Sequence, residues 1–100
     1  MFFHVVNFWL KDGLSAEDEA KFVAGVKTLG QIDTLKVFSV GKPADTDRPV
    51  IDRSYSYCLV TAFDDVAGHD VYQEAPIHLK FIADCAHLWE RVLIYDSETI

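Results

Sequence analysis

One hundred residues, 50% of them hydrophobic and 25% charged, suit one globular domain that buries on the order of 65% of its unfolded surface, with no room for a second core. The net charge of −7, with nine scattered basic residues, argues against nucleic acid or an anionic membrane as partner, since both need clustered Lys and Arg. The opening Met-Phe-Phe-His-Val-Val-Asn-Phe-Trp-Leu lacks a basic leader and is too short to span a bilayer, so it predicts neither signal peptide nor anchor, and a cytoplasmic address.

From Phe3 to Leu10, His4, Val6, Phe8 and Leu10 alternate with Phe3, Val5, Asn7 and Trp9, a period of two that predicts a strand apolar on both faces. Lys11-Asp12-Gly13 reads as a turn. Ser15 with Asp18 resembles a capping box. Phe22, Val23, Val26 and Leu29 then recur at helical spacing up to Gly30, which suits a C-terminal cap. Leu35 to Gly41 alternates again as a second strand, and Lys42 to Asp52, with two prolines and three aspartates, reads as a surface loop. A third strand is predicted from Arg53, with Tyr55, Tyr57, Leu59, Thr61 and Phe63 on one face and Ser54, Ser56, Cys58, Val60 and Ala62 on the other. Asp64-Asp65 can cap a helix from Val66 that runs through Tyr72 to Pro76. Pro76 has no amide hydrogen and biases Ala75 away from helical angles, so the chain turns there. A second helical piece carries Ile77, Phe81, Ile82, Cys85, Leu88 and Trp89, and Arg91 to Asp96 makes the closing strand. Cys58 and Cys85 have no CxxC spacing and read as free thiols.

The order βαββαβ, with its second helix broken, predicts an α+β fold: a four-stranded antiparallel sheet with the helices on one face, the ferredoxin-like arrangement. Strands about 4.8 Å apart and about 18 Å long leave a bare sheet face of roughly 350 Å2. Here that face is apolar. At about 25 cal/mol per Å2, covering it is worth up to about 9 kcal/mol per subunit before association costs, so a twofold homodimer with face-to-face sheets is expected.

The corner at Pro76 carries the functional expectation. Tyr72 lies on the last turn before it and His78 on the first turn after it, so a phenol and an imidazole can look into one cavity as hydrogen-bond donor and general base. The same residues also fit a packed helix corner without chemistry. His69, His78 and His87 are nine residues apart, which on an unbroken helix puts neighbours on opposite faces, so no metal site is expected. Glu17, Asp18 and Glu19 suit a helix N-terminus and need no catalytic role.

The strand bearing His4, the Tyr55-to-Phe63 strand ending in an acidic turn, the Tyr72-Pro76-His78-Phe81 stretch and the closing Trp89-Glu90-Arg91-Val92-Leu93-Ile94-Tyr95-Asp96 together resemble the Dabb family of stress-responsive dimeric α/β barrel proteins, along the whole chain. The resemblance implies a ferredoxin-like homodimer forming a barrel and, through its cyclase-type members, chemistry without metal or organic cofactor. Through members of the olivetolic acid cyclase type, it also implies that His78 abstracts a proton alpha to a carbonyl while Tyr72 hydrogen-bonds the developing oxyanion. By the same resemblance His4 lines the pocket, and Val6, Phe8, Phe22, Val26, Leu59, Phe81, Trp89, Val92 and Ile94 form its apolar wall around a small apolar or aromatic carbonyl ligand. One departure stands out: the family commonly has His-Pro-x-His where this chain has Ala75-Pro76-Ile77-His78. Three activities stay open: a cofactor-independent cyclase or lyase, a non-catalytic stress-associated dimer or small-ligand carrier, and a cofactor-free monooxygenase.

Overall fold

The computed structural model describes residues 1–100. In chain order it comprises β1 (Phe2–Leu10), α1 (Ala16–Thr28), β2 (Val37–Gly41), β3 (Tyr57–Phe63), α2 (Val66–Glu74), α3 (Pro76–Cys85) and β4 (Trp89–Glu98). The strands lie side by side as β2-β3-β1-β4, every pair antiparallel, which is the ferredoxin-like sheet. No helix is long and apolar enough to cross a membrane.

Register decides what each side chain meets. Val6 sits opposite Leu59 on β3 and Ile94 on β4, His4 opposite Thr61 and Asp96, and Phe8 opposite Tyr57 and Val92. Since side chains alternate along a strand, these residues share one face. On β1 and β3 they are buried beneath the helices, and on the edge strand β4 their equivalents Val92 and Ile94 are exposed at 41% and 46%. Phe3, Val5, Trp9, Val60 and Leu93 are half-buried on the other face, and Tyr95 there is 62% exposed. Nothing in the chain covers that second face.

Local chemistry sets the helix ends. Ser15 Oγ accepts from the Asp18 amide at 3.1 Å and Asp65 Oδ1 from the Gly68 amide at 3.1 Å, so both predicted caps form. Ala75 is extended, at φ −60° and ψ 139°, and Pro76 opens α3 as its first residue, where a missing amide hydrogen costs nothing. α1 and the broken α2–α3 pair lie on one face of the sheet. Phe22 and Val26 of α1 pack against Phe8, Tyr57, Phe81 and Leu88 in the common core.

Four boundaries differ from the sequence reading. Gly30 does not cap α1 in a left-handed conformation. Leu29–Gln31 tightens into a 3₁₀ turn, and Gly30 serves instead to admit the Phe38 ring, which would lie 3.0 Å from a Cβ at that position. β2 starts at Val37 rather than Leu35. β3 starts at Tyr57 rather than Arg53, because Ser54 is held by the Asp52 carboxylate and by the Trp9 indole, and Ser56 Oγ takes the Leu10 amide. Finally, Trp89 opens β4 instead of closing the preceding helix, and β4 runs on to Glu98.

Candidate active site

The Pro76 corner brings Tyr72 and His78 together. Their ring centroids are 5.0 Å apart with planes inclined at 55°, and both side chains line one cavity of about 200 Å3 between the α2–α3 corner and the sheet. His4, Val6 and Phe8 of β1 and Leu59 of β3 form the cavity floor. Phe81 and Trp89 close one side, and Val92 and Ile94 stand at the rim with Ile82 of α3, which is 40% exposed. The rim lies along β4 because that edge strand extends past the cover of the helices.

Polar groups are few and mostly unpaired. Tyr72 is 1% exposed and its hydroxyl has no hydrogen-bond partner within the protein; burial pushes its pKa up, so it stays a protonated donor. His78 Nδ1 is likewise buried without a partner. Burial first, then the nearby His4, lowers the His78 pKa; the Gln73 carbonyl acts in the opposite direction, although Nδ1 makes no well-formed bond to it. His78 is therefore neutral at neutral pH and has a lone pair to accept a proton.

His4 is differently held. Its Nδ1 lies 2.6 Å from Asp96 Oδ1, across the β1–β4 register. A carboxylate accepts only, so the proton sits on Nδ1 and Nε2 is left as the acceptor. Burial lowers the His4 pKa, Asp96 partly restores it, and the His69 ring, centred 4.7 Å away, lowers it again.

Two expected wall residues are elsewhere. Phe22 and Val26 are fully buried but do not line the cavity, because Phe8 and Phe81 fill the space between α1 and the hollow. Conversely, Leu29, Gln73 and Ile82 line it without having been expected. Leu29 was legible in principle, since it follows Val26 by three residues on the same helical face. Gln73 was not: its buried, unpaired Oε1 depends on how the corner folds. Asp96 becomes visible only once β4 is registered against β1.

The sheet order and single helical layer define a ferredoxin-like α+β domain. Residues 2–99 match the model of the Stress responsive A/B Barrel Domain, or Dabb. The chain belongs to this family. A Dabb family protein with a ferredoxin-like fold from Mesorhizobium loti is 26% identical, with a TM-score of 0.80 over 99% of this chain and 96% of that one. The hydroxynitrile lyase from Passiflora edulis is 22% identical, with a TM-score of 0.77 over 99% and 95%. A dimeric ferredoxin-like protein of unknown function from Thermobifida fusca is 19% identical, with a TM-score of 0.79 over 98% and 90%. No curated protein matches the chain by sequence.

Proposed function

We propose that the cavity is the active site of a cofactor-independent lyase or cyclase acting on a small aromatic or apolar carbonyl compound. His78 is the base and Tyr72 the donor to the oxygen that gains charge. One observation carries this reading: the Tyr72 and His78 side chains line the same apolar hollow, and the Tyr72 hydroxyl and His78 Nδ1 are buried without a hydrogen-bond partner in the fold. Each such atom costs about 1–3 kcal/mol when left unsatisfied. A carbonyl substrate relieves both, with its oxygen accepting from Tyr72 and its acidic C–H facing His78.

In this scheme His78 removes a proton alpha to the carbonyl, and Tyr72 holds the enolate oxygen. The carbanion then attacks a second carbonyl within the substrate, forming a C–C bond, and the resulting alkoxide takes a proton back. The Passiflora edulis relative supports a lyase variant of the same site. In that variant His78 takes the hydroxyl proton of a cyanohydrin as the C–C bond breaks, giving a carbonyl compound and cyanide, which takes the proton from His78 and leaves. Apolar cavities of about 150 Å3 hold benzene, so about 200 Å3 suits a single aromatic ring or a short chain. Dimeric relatives support a homodimer for this chain, and the uncovered apolar sheet face is the surface through which we propose it forms.

The test offers the protein an aromatic cyanohydrin and, separately, a short poly-β-keto thioester. Tyr72→Phe and His78→Ala should each lower turnover at least about tenfold, as removal of an acid or base group does. Unchanged rates in both variants remove the mechanism. Binding of benzaldehyde without turnover, and with affinity indifferent to His78→Ala, makes the protein a carrier. Turnover that requires dioxygen makes it a monooxygenase.

A further inference from the structure

Beside the cavity, three side chains from three elements converge: His4 of β1, His69 of α2 and Asp96 of β4. One ligand-type atom from each lies within 4.8 Å of the other two. We propose that these residues form a binding site for a divalent metal ion of the zinc type, separate from the Tyr72–His78 pair.

The His69 ring carries the argument. Its Nε2 is buried and has no hydrogen-bond partner, while its Nδ1 lies 3.2 Å from the carboxylate of Asp70. A carboxylate on Nδ1 keeps the proton there, which leaves Nε2 as a free lone pair directed into the protein. That is how metal-ligating histidines are held: the second nitrogen donates to a carboxylate, and this fixes both tautomer and ring orientation. An unpaired imidazole nitrogen in an apolar setting is otherwise a cost, and the surroundings here are apolar, with the rings of Phe2 and Phe63 centred 4.7 and 5.8 Å from His69.

The other two groups complete a suitable donor set. His4 and Asp96 share a proton across 2.6 Å, and a metal ion takes the place of that proton. Two imidazoles and one carboxylate bind borderline ions such as zinc, with the fourth position left to solvent, and the Asp96 side chain, 43% exposed, gives access from outside. Ligands about 2.0–2.1 Å from a tetrahedral zinc stand about 3.3 Å apart, so loading opens the His4–Asp96 contact slightly, and the three ligand atoms, already within 4.8 Å of one another, settle to that spacing. The nine-residue spacing of His69, His78 and His87 gives no hint of this site, because the second histidine comes from β1.

The experiment uses the full chain, stripped with a chelator and titrated with zinc by calorimetry and with cobalt by visible absorption. The expected result is one ion per chain, a cobalt spectrum of the intense tetrahedral type, and a thermal midpoint raised by zinc. His69→Gln should weaken binding at least about tenfold. Asp70→Asn, at an exposed position that leaves packing intact, should weaken it by about 10- to 100-fold, as loss of a carboxylate behind a ligating histidine does. Absence of zinc binding by the unmodified chain overturns the proposal. So does a weak octahedral-type cobalt spectrum, or an affinity unchanged from that of the unmodified chain in both Asp70→Asn and a folded His69→Gln chain. None of these readouts depends on turnover, so they stand or fall apart from the proposed reaction.

Discussion

The rings of Tyr72 and His78 stand 5.0 Å apart on either side of Pro76, and each presents a buried polar atom that the fold leaves unpaired. Such an arrangement places stability and function in opposition. Tyr72→Phe keeps the ring in its contacts with Phe63 and His78 and deletes only the oxygen. We expect the unfolding free energy in urea to rise by about 1 kcal/mol, the lower range for relieving an unsatisfied buried group, while turnover falls. A loss of stability instead means the hydroxyl is bonded within the protein.

The two walls of the core respond differently to truncation. Val26 is fully buried between α1 and the sheet but does not touch the cavity. Val26→Ala should cost about 2 kcal/mol, from two methyl groups at about 0.8 kcal/mol each plus a cavity term, with KM unchanged. Val92 sits at the rim, 41% exposed. Val92→Ala should cost under about 1 kcal/mol, near the range for surface changes, while shifting activity toward bulkier substrates. Denaturation midpoints and a substrate-size series check both. Equal KM shifts in the two variants would contradict the placement of the wall.

Period-two alternation in β1 and β3 and the proline at 76 made the fold legible, because strand periodicity and a missing amide hydrogen act locally. The cavity was legible in part. His4, Val6 and Phe8 fall on one face by alternation alone, but whether Phe22 reaches the hollow depends on how far Phe8 and Phe81 fill the gap, which is a matter of three-dimensional packing. Ser54 and Ser56 continue the alternation upstream of β3, yet their hydroxyls accept from the Trp9 indole and the Leu10 amide, the Ser54 amide donates to the Asp52 carboxylate, and the strand begins only at Tyr57. The pairing of His4 with Asp96 needed the β1–β4 register, and the approach of His69 needed the position of α2 over the sheet.

The sheet face away from the helices supplies a test of assembly. Val60 lies on a central strand there, half-buried in the single chain. In a dimer joined through that face it is enclosed, and a buried unpaired carboxylate costs several kcal/mol. Val60→Asp should therefore convert the protein, by light scattering, from a dimer to a species near the chain mass of 11.3 kDa. Unmodified protein already at the chain mass would remove the dimer. A Val60→Asp protein that stays dimeric would move the interface elsewhere.

Acid should weaken the fold through its buried histidines. The pKa values of His4 and His78 are both held below the ordinary 6.5, chiefly by burial. The unfolded chain protonates these rings near 6.5, whereas the folded chain resists until the pH reaches the depressed values. Between the two, the unfolded state binds more protons, so unfolding free energy increases with pH in that window and is lost as the pH falls below 6.5. Above 6.5 both states hold neutral rings and these groups contribute no slope. Urea denaturation in the presence of a chelator, stepped downward from neutral pH, should show this decline, and His78→Gln should flatten it. Activity should fall in parallel only lower down, as His78 itself takes up a proton and can no longer serve as base. Stability that holds constant as the pH drops through 6.5 would mean that burial does not depress the two pKa values, and stability that increases would mean that the folded rings bind protons more readily than the unfolded ones; a His78 charged at neutral pH is incompatible with its role as the acceptor of a substrate proton.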